Sequence, residues 1–378
     1  SRIDQGQFVW LDKFTIRNLE LLHSSNAGAK TLIDVIDKTS SPMGSRLMRR
    51  WLSLPLKNKE QINARYDIVD YFVNNNDLIY KFQDAIRQVG DLERLISKVS
   101  LLRVNPRELL QLARALDQIE IIKNLCADSN DDSIKLYAEQ LNVCDSIRQK
   151  IKRVLNPDSP ALLSKGNFIN DGVDEELDDL RALSRSGKEY LTNIQRREIE
   201  ATGISSLKVG FNNVFGYYLE VTNLHKDKVP AEWIRKQTLA NAERYITEEL
   251  KEYEQKILGA DEKIHAIEER LYFELMNACG EFVAPIQLDA SLISKIDCLV
   301  SFADVALRNN YVKPTIDDSY VIDIKEGRHP VIEQMMPIGE QYISNDVYLD
   351  RERQQIIIIT GPNMSGKSAL LRQTALIV

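Results

Sequence analysis

The chain has little glycine, proline and cysteine, and these scarcities narrow its structural class. Its 378 residues include 16 glycines and 11 prolines. Leucine, isoleucine, glutamate, lysine and arginine are plentiful, and this composition favours helix. Cys126, Cys144, Cys279 and Cys298 have no C-x-x-C spacing and no clustered histidines. We therefore expect buried or free thiols in a reducing compartment and no cysteine metal site.

Long apolar runs and a net basic charge are also missing. No apolar stretch approaches the roughly 18 residues of a membrane-spanning helix, and no signal-peptide pattern opens the chain. The sequence therefore predicts a soluble, cytoplasmic protein without a membrane partner. Its formal net charge is −7, so any surface for nucleic acid must be local.

Helical periodicity dominates the first part of the chain. Apolar positions recur at helical spacing to about residue 155. Ser41 is a predicted N-cap, with Pro42 in the first helical turn. The periodicity breaks at four polar stretches: Asn74–Asn76, Asn105-Pro106, Ser129–Asp132 and Asn156-Pro157. The pattern predicts an all-helical domain whose leucines and isoleucines form the core.

Two segments on either side of an insertion carry coiled-coil spacing. In the first, steps of four and three join Val173, Leu177, Leu180, Ser184, Gly187, Leu191 and Ile194. In the second, one heptad position holds Leu250, Ile257, Ile264 and Leu271, and the other holds Tyr253, Ala260 and Ile267. The spacing predicts an antiparallel coiled-coil hairpin. A helical bundle with two long helices is the alternative, and either arrangement makes a stiff arm.

The insertion, residues 204–246, loses the helical composition. Residues 207–222 predict two strands around a turn near residues 212–216. Between residues 205 and 246, six lysines and arginines stand against four acids, whereas residues 247–270 have four basic and eight acidic residues. A mildly basic tip on an acidic arm suggests a surface for a polyanion. A solvated charged face explains the same counts equally well.

The pattern after the arm changes from helical to β. Residues 280–310 predict short helices, and the β pattern begins at Tyr311. The predicted strands are Tyr320–Ile324, Pro330–Glu333, Asp346–Leu349 and Ile356–Ile359. His329 precedes a proline in a polar turn, and we interpret it as structural rather than catalytic.

The run after the last predicted strand, Thr360–Ser368, fits the phosphate-loop pattern G-x-x-x-x-G-K-[ST]. Glycine lets successive backbone N–H groups surround a phosphate, and the predicted helix at residues 369–378 adds the positive end of its dipole. Lys367 is expected to reach the β- and γ-phosphates, and Ser368 to ligate Mg²⁺. The alternative is a strand–turn–helix that binds no ligand.

The loop stands ten residues before the end of the sequence. A nucleotide-binding domain also needs further strands and an acidic motif that holds Mg²⁺. Neither follows Ser368, and the sequence begins without methionine. We therefore expect an excised fragment that ends early in an ATPase domain and does not turn over ATP.

Several stretches together resemble the MutS family of DNA mismatch-repair ATPases. The loop Thr360–Ser368 is similar to the phosphate-binding signature of that family. The other similar stretches follow the family order along essentially the whole chain: Asp12–Glu20, Ser41–Arg46, Gly90–Arg94, Asn241–Ile246, Glu249–Glu254 and Glu326–Val331.

The resemblance implies a mainly α fold with smaller β regions. An all-helical core would be split by a long antiparallel coiled-coil lever that carries a β-rich DNA clamp, and the first part of an α/β P-loop, ABC-type ATPase domain would follow. The implied divisions are 1–172 (helical core), 173–204 (first lever helix), 205–246 (clamp), 247–280 (second lever helix), 281–311 (return to the core) and 312–378 (start of the ATPase domain). The mismatch-reading and connector domains of the family would lie before residue 1.

The resemblance also implies site residues and partners. ATP would be held by Gly361, Pro362, Asn363, Met364, Ser365, Gly366, Lys367 and Ser368, with Ser368 as the Mg²⁺ ligand. Tyr342 falls where the family stacks an aromatic ring on adenine, and an aromatic at a strand edge is the alternative. Arg235, Lys236 and Asn241 fall where the clamp contacts DNA phosphates. The implied partners are mismatched double-stranded DNA, a second copy in a homodimer and downstream mismatch-repair proteins, in the cytoplasm at the nucleoid.

The implied function is that of a mismatch-recognition ATPase in which ATP binding converts a mismatch-bound state into a sliding clamp. One alternative is the paralogous branch that acts in recombination or ribosome rescue, against which residues 241–254 argue. Another is a chromosome-organising coiled-coil ATPase, which predicts a much longer arm and no β-rich tip. A non-enzymatic helical scaffold does not account for the phosphate loop.

Overall fold

The chain is mainly helical and carries small antiparallel sheets. In the computed structural model the described residues are 6–24, 26, 28–212, 214, 216–337, 339–362 and 365–378, and only the helical backbone is described at 185–189, 253 and 255–258. One compact unit comprises residues 1–100, 112–148 and 282–378, and the other comprises residues 101–111 and 149–281. The predicted fold class, mainly α with smaller β regions, is confirmed.

The described residues up to Val154 form short and medium helices. They are α1 (Lys13–Asn18), α2 (Leu32–Ile36), α3 (Pro42–Ser53), α4 (Lys59–Asn74), α5 (Asn76–Val89), α6 (Leu92–Ser100), α7 (Pro106–Ala127), α8 (Asp132–Gln140) and α9 (Asp145–Val154). The predicted breaks are confirmed, because α4 ends at Asn74, α7 begins at Pro106 and α8 is capped by Asp131. Ser41 caps α3 as predicted: its hydroxyl oxygen accepts from the backbone N–H of Gly44 at 3.0 Å.

The rest of the chain alternates long helices with short strands. Its elements are α10 (Glu175–Thr202), β1 (Lys208–Asn212), β2 (Gly216–Thr222), β3 (Ile234–Thr238), β4 (Ala242–Ile246), α11 (Glu248–Gly280), α12 (Val283–Asn309), β5 (Ile322–Gly327), α13 (Pro330–Glu333), β6 (Asn345–Leu349) and α14 (Lys367–Ile377). β5 and β6 pair antiparallel, so the strands predicted near residues 320 and 346 are present with shifted bounds.

Three predictions for this region were wrong. The short helices expected at 280–310 are one helix, α12, because the only helix-breaking residue within it, Pro285, lies in the first turn where its missing N–H costs no hydrogen bond. Residues 330–333 form α13 instead of a strand. Residues 356–359 form no strand: Ile356 and Ile358 are 80% and 83% exposed, and among the described residues no neighbouring strand pairs with them.

Helix α12 lies at the centre of the first unit, where it packs against α3, α4, α5 and α6. Its Asp297 is 1% exposed and accepts hydrogen bonds from the backbone N–H groups of Ser40 and Ser41 and from the Ser41 hydroxyl. A Cβ added to Gly44 would lie 2.1 Å from Asp297 Oδ2. This close approach explains why a glycine follows the capped start of α3.

Helices α10 and α11 of the second unit run antiparallel. Four polar contacts join the two helices: Asp174 with Arg270, Arg181 with Glu268, Ser184 with Asp261, and Arg197 with Glu249. Residue numbers increase along the first helix while the numbers of their partners decrease along the second. The predicted antiparallel hairpin is therefore confirmed. The predicted seam positions that are buried along the two helices are Leu177, Leu191, Ile194, Leu250, Ala260 and Ile267.

The heptad prediction was incomplete on α11. Ile264 and Leu271 are only half-buried, whereas Ala260 and Ile267 at the other heptad position are buried. The side chains of Tyr253, Ile257 and Gly187 lie outside the described residues. Glu268 is fully buried although it lies at neither apolar heptad position.

The insertion between α10 and α11 forms a four-stranded antiparallel sheet in the order β1-β2-β4-β3. Its inner face shares one apolar core with the adjoining ends of the two helices, made of Leu191, Ile194, Ile204, Leu207, Leu219, Val221, Trp233, Tyr245 and Leu250. Gly216 begins β2 at φ 82°, and an added Cβ would lie 2.0 Å from Glu254 Oε2. The carboxylate of Glu254 thus fixes the start of β2 against α11 and leaves room only for glycine.

The cysteines match the prediction of buried or free thiols. All four are buried and free, and burial raises the pKa of Cys126 and of Cys279 to about 12, which keeps both thiols protonated and unreactive. Within the described part of the chain, no group of histidines, cysteines and acids could hold a metal ion. None of the helices described there combines the length and apolar character needed to cross a bilayer.

Candidate functional site

Arg235 and Lys236, two of the predicted DNA contacts, lie on strand β3 at one edge of the four-stranded sheet. The register slips between Arg235, which lies opposite Tyr245, and Gln237, which lies opposite Arg244. Lys236 therefore occupies a bulge, and both basic side chains are exposed. Positive charges on an edge strand hinder pairing with another strand. In this position the two side chains are also accessible to a ligand in solvent.

Two basic side chains of the sheet are engaged by acids. Arg235 Nη1 lies 3.2 Å from Glu243 Oε1, and Arg244 Nε lies 2.8 Å from Glu220 Oε2 while its guanidinium covers the Tyr218 ring. The hydroxyl of Tyr245 donates to Glu243 and, with the Arg235 charge, holds the pKa of that carboxyl below its usual value. The sequence count of six basic residues thus overstates the cations available to a ligand.

Lys236 differs from these arginines. Among the described residues, no carboxylate pairs with its ammonium group and no acceptor receives a hydrogen bond from it. Lys236 has no partner residue in the register of β3 and β4, because Arg235 pairs with Tyr245 and Gln237 pairs with Arg244. Lys236 is therefore an exposed cation held on a folded sheet.

Asn241, the third predicted DNA contact, lies in the turn between β3 and β4. The backbone N–H of Asn223 donates to the Asn241 carbonyl at 3.1 Å, and the Asn223 side-chain amide donates to the Ala240 carbonyl at 3.0 Å. These bonds fix the turn and leave the Asn241 side chain exposed. Asn223 was not predicted from the sequence, because its only local feature is its position at the end of a predicted strand.

The phosphate loop stands before α14, whose N-terminus is exposed. Gly366 is the N-cap at φ 86°, a left-handed conformation that favours glycine. Among the described residues, no side chain caps the first turn, so its backbone N–H groups remain available to an anion. An added Cβ at Gly361 would lie 2.8 Å from Ser365 Oγ, so both glycines of the pattern have a structural reason. Asn363 and Met364 lie outside the described residues.

The functional side chains of this loop fit a phosphate and Mg²⁺. The Lys367 ammonium donates to the carbonyls of Gly361 and Pro362, and Ser365 Oγ donates to the Pro362 carbonyl at 2.8 Å. The Lys367 charge is therefore held over the loop. Ser368 lies in the first turn of α14 with its side chain exposed, where a hydroxyl can reach a metal ion bound to a phosphate.

Tyr342, the predicted adenine contact, is tied to the same helix. Its hydroxyl donates to Oε1 of the buried Gln373 at 2.8 Å, and burial raises the pKa of Tyr342. This bond anchors the segment before β6 to α14. The contact with adenine stays a prediction.

His329 has a structural role, as predicted. Its Nδ1 accepts from the backbone N–H groups of Val331 and Ile332 at 3.3 Å each, so the ring caps α13. Burial lowers the pKa of His329, which keeps the ring neutral and Nδ1 able to accept.

The chain is similar to known proteins along its whole length. A family model described as MutS domain III matches residues 14–303. The chain is 59% identical over 378 residues to the DNA mismatch repair protein MutS of Flavobacterium johnsoniae, covering 100% of this chain and 44% of that protein. It is 60% identical to the MutS of Parabacteroides distasonis and 54% identical to that of Porphyromonas gingivalis, again covering 100% of this chain but 43% and 42% of those proteins. The chain thus spans less than half the length of these relatives.

Proposed function

Because this chain belongs to the MutS family, we propose that it forms the core, lever and clamp of a DNA mismatch-repair protein, together with its phosphate loop. In this proposal the exposed edge of the four-stranded sheet contacts the backbone of duplex DNA. The lever helices α10 and α11 hold that sheet at a fixed position. A homodimer and downstream mismatch-repair partners belong to the same proposal.

The observation that carries the DNA contact is the exposed ammonium of Lys236 on its β-bulge. Lysine binds a phosphate as a point charge and does not need a fixed geometry. Arg235 can add a second contact, although it must first leave Glu243 at 3.2 Å. The exposed Asn241 amide can donate to a phosphate oxygen. These groups carry no base code, because phosphates look alike in every sequence.

The relatives favour the mismatch-repair branch of the family. All three relatives named above are called DNA mismatch repair protein MutS, which supports that role over a paralogue of recombination or ribosome rescue. A chromosome-organising coiled-coil ATPase was expected to lack a β-rich tip, and the sheet β1–β4 argues against it.

We expect this chain to bind duplex DNA weakly and without preference for a mismatch. Contacts limited to phosphates give dissociation constants of roughly 10⁻⁴–10⁻⁶ M. Fluorescence anisotropy of a matched duplex and of the same duplex with one mismatch should give equal affinities. A clear preference for the mismatched duplex would show base reading by these residues, and the absence of binding to either duplex would refute the proposal.

We also propose that Thr360–Ser368 binds the phosphates of ATP with Mg²⁺. Support comes from the uncapped first turn of α14 and the Lys367 charge held over the loop. Lys367 would neutralise the phosphate charge, and Ser368 would supply an oxygen ligand to the metal ion. Tyr342 would stack on the adenine ring.

Replacing Lys367 by methionine should weaken binding of Mg·ATP by about 10- to 100-fold, since a hydrogen bond to a charged group contributes about 1.5–3 kcal/mol. Isothermal titration calorimetry of the folded variant measures this loss. Lys325→Met is the matched control, because Lys325 on β5 is an exposed lysine of the same unit. Equal affinity of the Lys367 variant and the control would contradict the phosphate site.

A further inference from the structure

A cavity in the first unit shares no residue with either candidate site. It has a volume of about 240 Å³ and lies among α3, α4, α8 and α12. Its lining includes Trp51, Gln61, Arg65, Tyr137, Lys295 and Leu299. Two cations and no acid line it, although the chain as a whole has a net charge of −7. This local excess of positive charge is unexplained by the DNA and ATP proposals.

Arg65 is the central group of this cavity. Its guanidinium carbon lies 3.6 Å from the centroid of the Trp51 ring, so the planar group is stacked on the indole. Among the described residues, no carboxylate pairs with Arg65 and no acceptor takes a hydrogen bond from it. Burial lowers the pKa of the Arg65 guanidinium, which is the direction expected for a desolvated charge without a partner.

The two arginines that are buried among the described residues have acidic partners. Arg148 contacts Asp117, Glu120 and Asp145. Arg181 contacts Asp171 and Glu268. Arg65 is only partly buried, and among the described residues its guanidinium has no anion beside it. Its unused N–H donors point to an anion supplied from outside the chain.

We propose that this cavity binds a small organic carboxylate. The planar fork of Arg65, held by stacking on Trp51, matches a carboxylate with two parallel hydrogen bonds. Lys295 adds a second positive charge, and the hydroxyl of Tyr137 adds a donor. The apolar surfaces of Trp51 and Leu299 suit the carbon body of such an acid.

Size and lining distinguish this ligand from larger or more highly charged anions. The cavity volume of about 240 Å³ lies below the roughly 300–1,000 Å³ of ordinary ligand pockets, so the cavity suits a molecule of the size of benzoate rather than a nucleotide. Its lining includes no glycine-rich loop, so it lacks the backbone N–H cradle that phosphate sites use. A monovalent carboxylate with an apolar body fits better than phosphate.

The test is a titration of the chain with benzoate at constant ionic strength, followed by calorimetry and by fluorescence of Trp51. A Trp10→Phe, Trp233→Phe background leaves Trp51 as the single indole. We expect saturable binding in the millimolar range. Benzyl alcohol, which has the same shape without the charge, and inorganic phosphate should each bind at least about tenfold more weakly.

Two variants assign the binding to this cavity. Arg65→Met should weaken benzoate binding at least tenfold, and Arg87→Met is the control because Arg87 is an exposed arginine of α5 in the same unit. Lys295→Met, at an exposed position of α12, gives the same test if the Arg65 variant fails to fold. Binding that survives both cavity substitutions, equal binding of benzyl alcohol, or tighter binding of phosphate would overturn the proposal. Each outcome leaves the DNA and ATP proposals untouched.

Discussion

Replacing Arg181 by methionine should lower the free energy of unfolding by about 3–5 kcal/mol, the usual effect of removing one partner of a buried ion pair. Arg181 Nη2 lies 2.6 Å from Glu268 Oε1, with the two side chains 9% and 0% exposed. The same guanidinium also binds Asp171 and the Ile169 carbonyl. Methionine leaves the Glu268 carboxylate buried, and among the described residues the backbone N–H of Asn167 is the one donor that remains.

Urea denaturation of the variant and of a matched control measures this loss. Arg270→Met is the control, because Arg270 lies 51% exposed on the same pair of helices and bridges Asp174 and Glu274. An exposed pair of this kind contributes at most about 1 kcal/mol. If both variants lost the same stability, the buried pair would not hold the lever together.

Replacing the buried ion pair by two apolar residues provides a second check on the lever. Arg181→Met combined with Glu268→Leu removes both charges, so the unpaired buried carboxylate disappears. Buried ion pairs are often replaced by apolar residues at little cost. The double variant should therefore recover most of the stability that the single variant loses.

The sequence predicted the helix boundaries in the first part of the chain, because the signals that start and stop a helix are local. Asn74, Pro106 and Asp131 lie where the structure ends or begins a helix. The Pro330–Glu333 run was predicted as a strand because its two β-branched residues lie in a region whose overall pattern is β. The ring of His329 caps this run and stabilises it as a helix. Composition alone could not predict that contact.

Contacts between residues far apart in the chain could not be predicted from the sequence. A heptad pattern counts apolar positions, so it missed Glu268, whose burial depends on Arg181 87 positions away along the chain. It likewise could not show that Asp297 receives the N-terminus of α3. The strand predicted at Ile356–Ile359 depends on pairing with other strands, and local sequence carries no information about whether these are present.

The two candidate sites also differ in how far local sequence predicts them. The phosphate loop is a local motif, so its glycines and Lys367 could be predicted from spacing alone, and phosphate binding there stays a prediction. At the clamp, the sequence identified a basic tip, but only the structure distinguishes Lys236 from Arg235, which contacts Glu243. The bulge that exposes Lys236 arises from a register slip between two strands and has no local signature.

The double substitution Arg235→Ala, Lys236→Ala should weaken duplex binding by about 8- to 60-fold at 0.1 M salt. Each lysine or arginine that neutralises a phosphate adds about 0.9 to the slope of log K against log salt. Lys236 is expected to contribute a full contact. Arg235 contributes less, because binding DNA separates it from Glu243. The slope should therefore flatten by about 1 to 2, equally for matched and mismatched duplexes.

Lys208→Ala is the matched control, since Lys208 is an exposed lysine on β1 at the opposite edge of the same sheet. The most direct test of the clamp is therefore a salt titration of duplex binding by the unmodified chain, the double variant and this control. The proposed clamp predicts a flatter slope and weaker binding for the double variant alone. Identical slopes and affinities for all three proteins would contradict it and leave β3 as a charged, solvated strand.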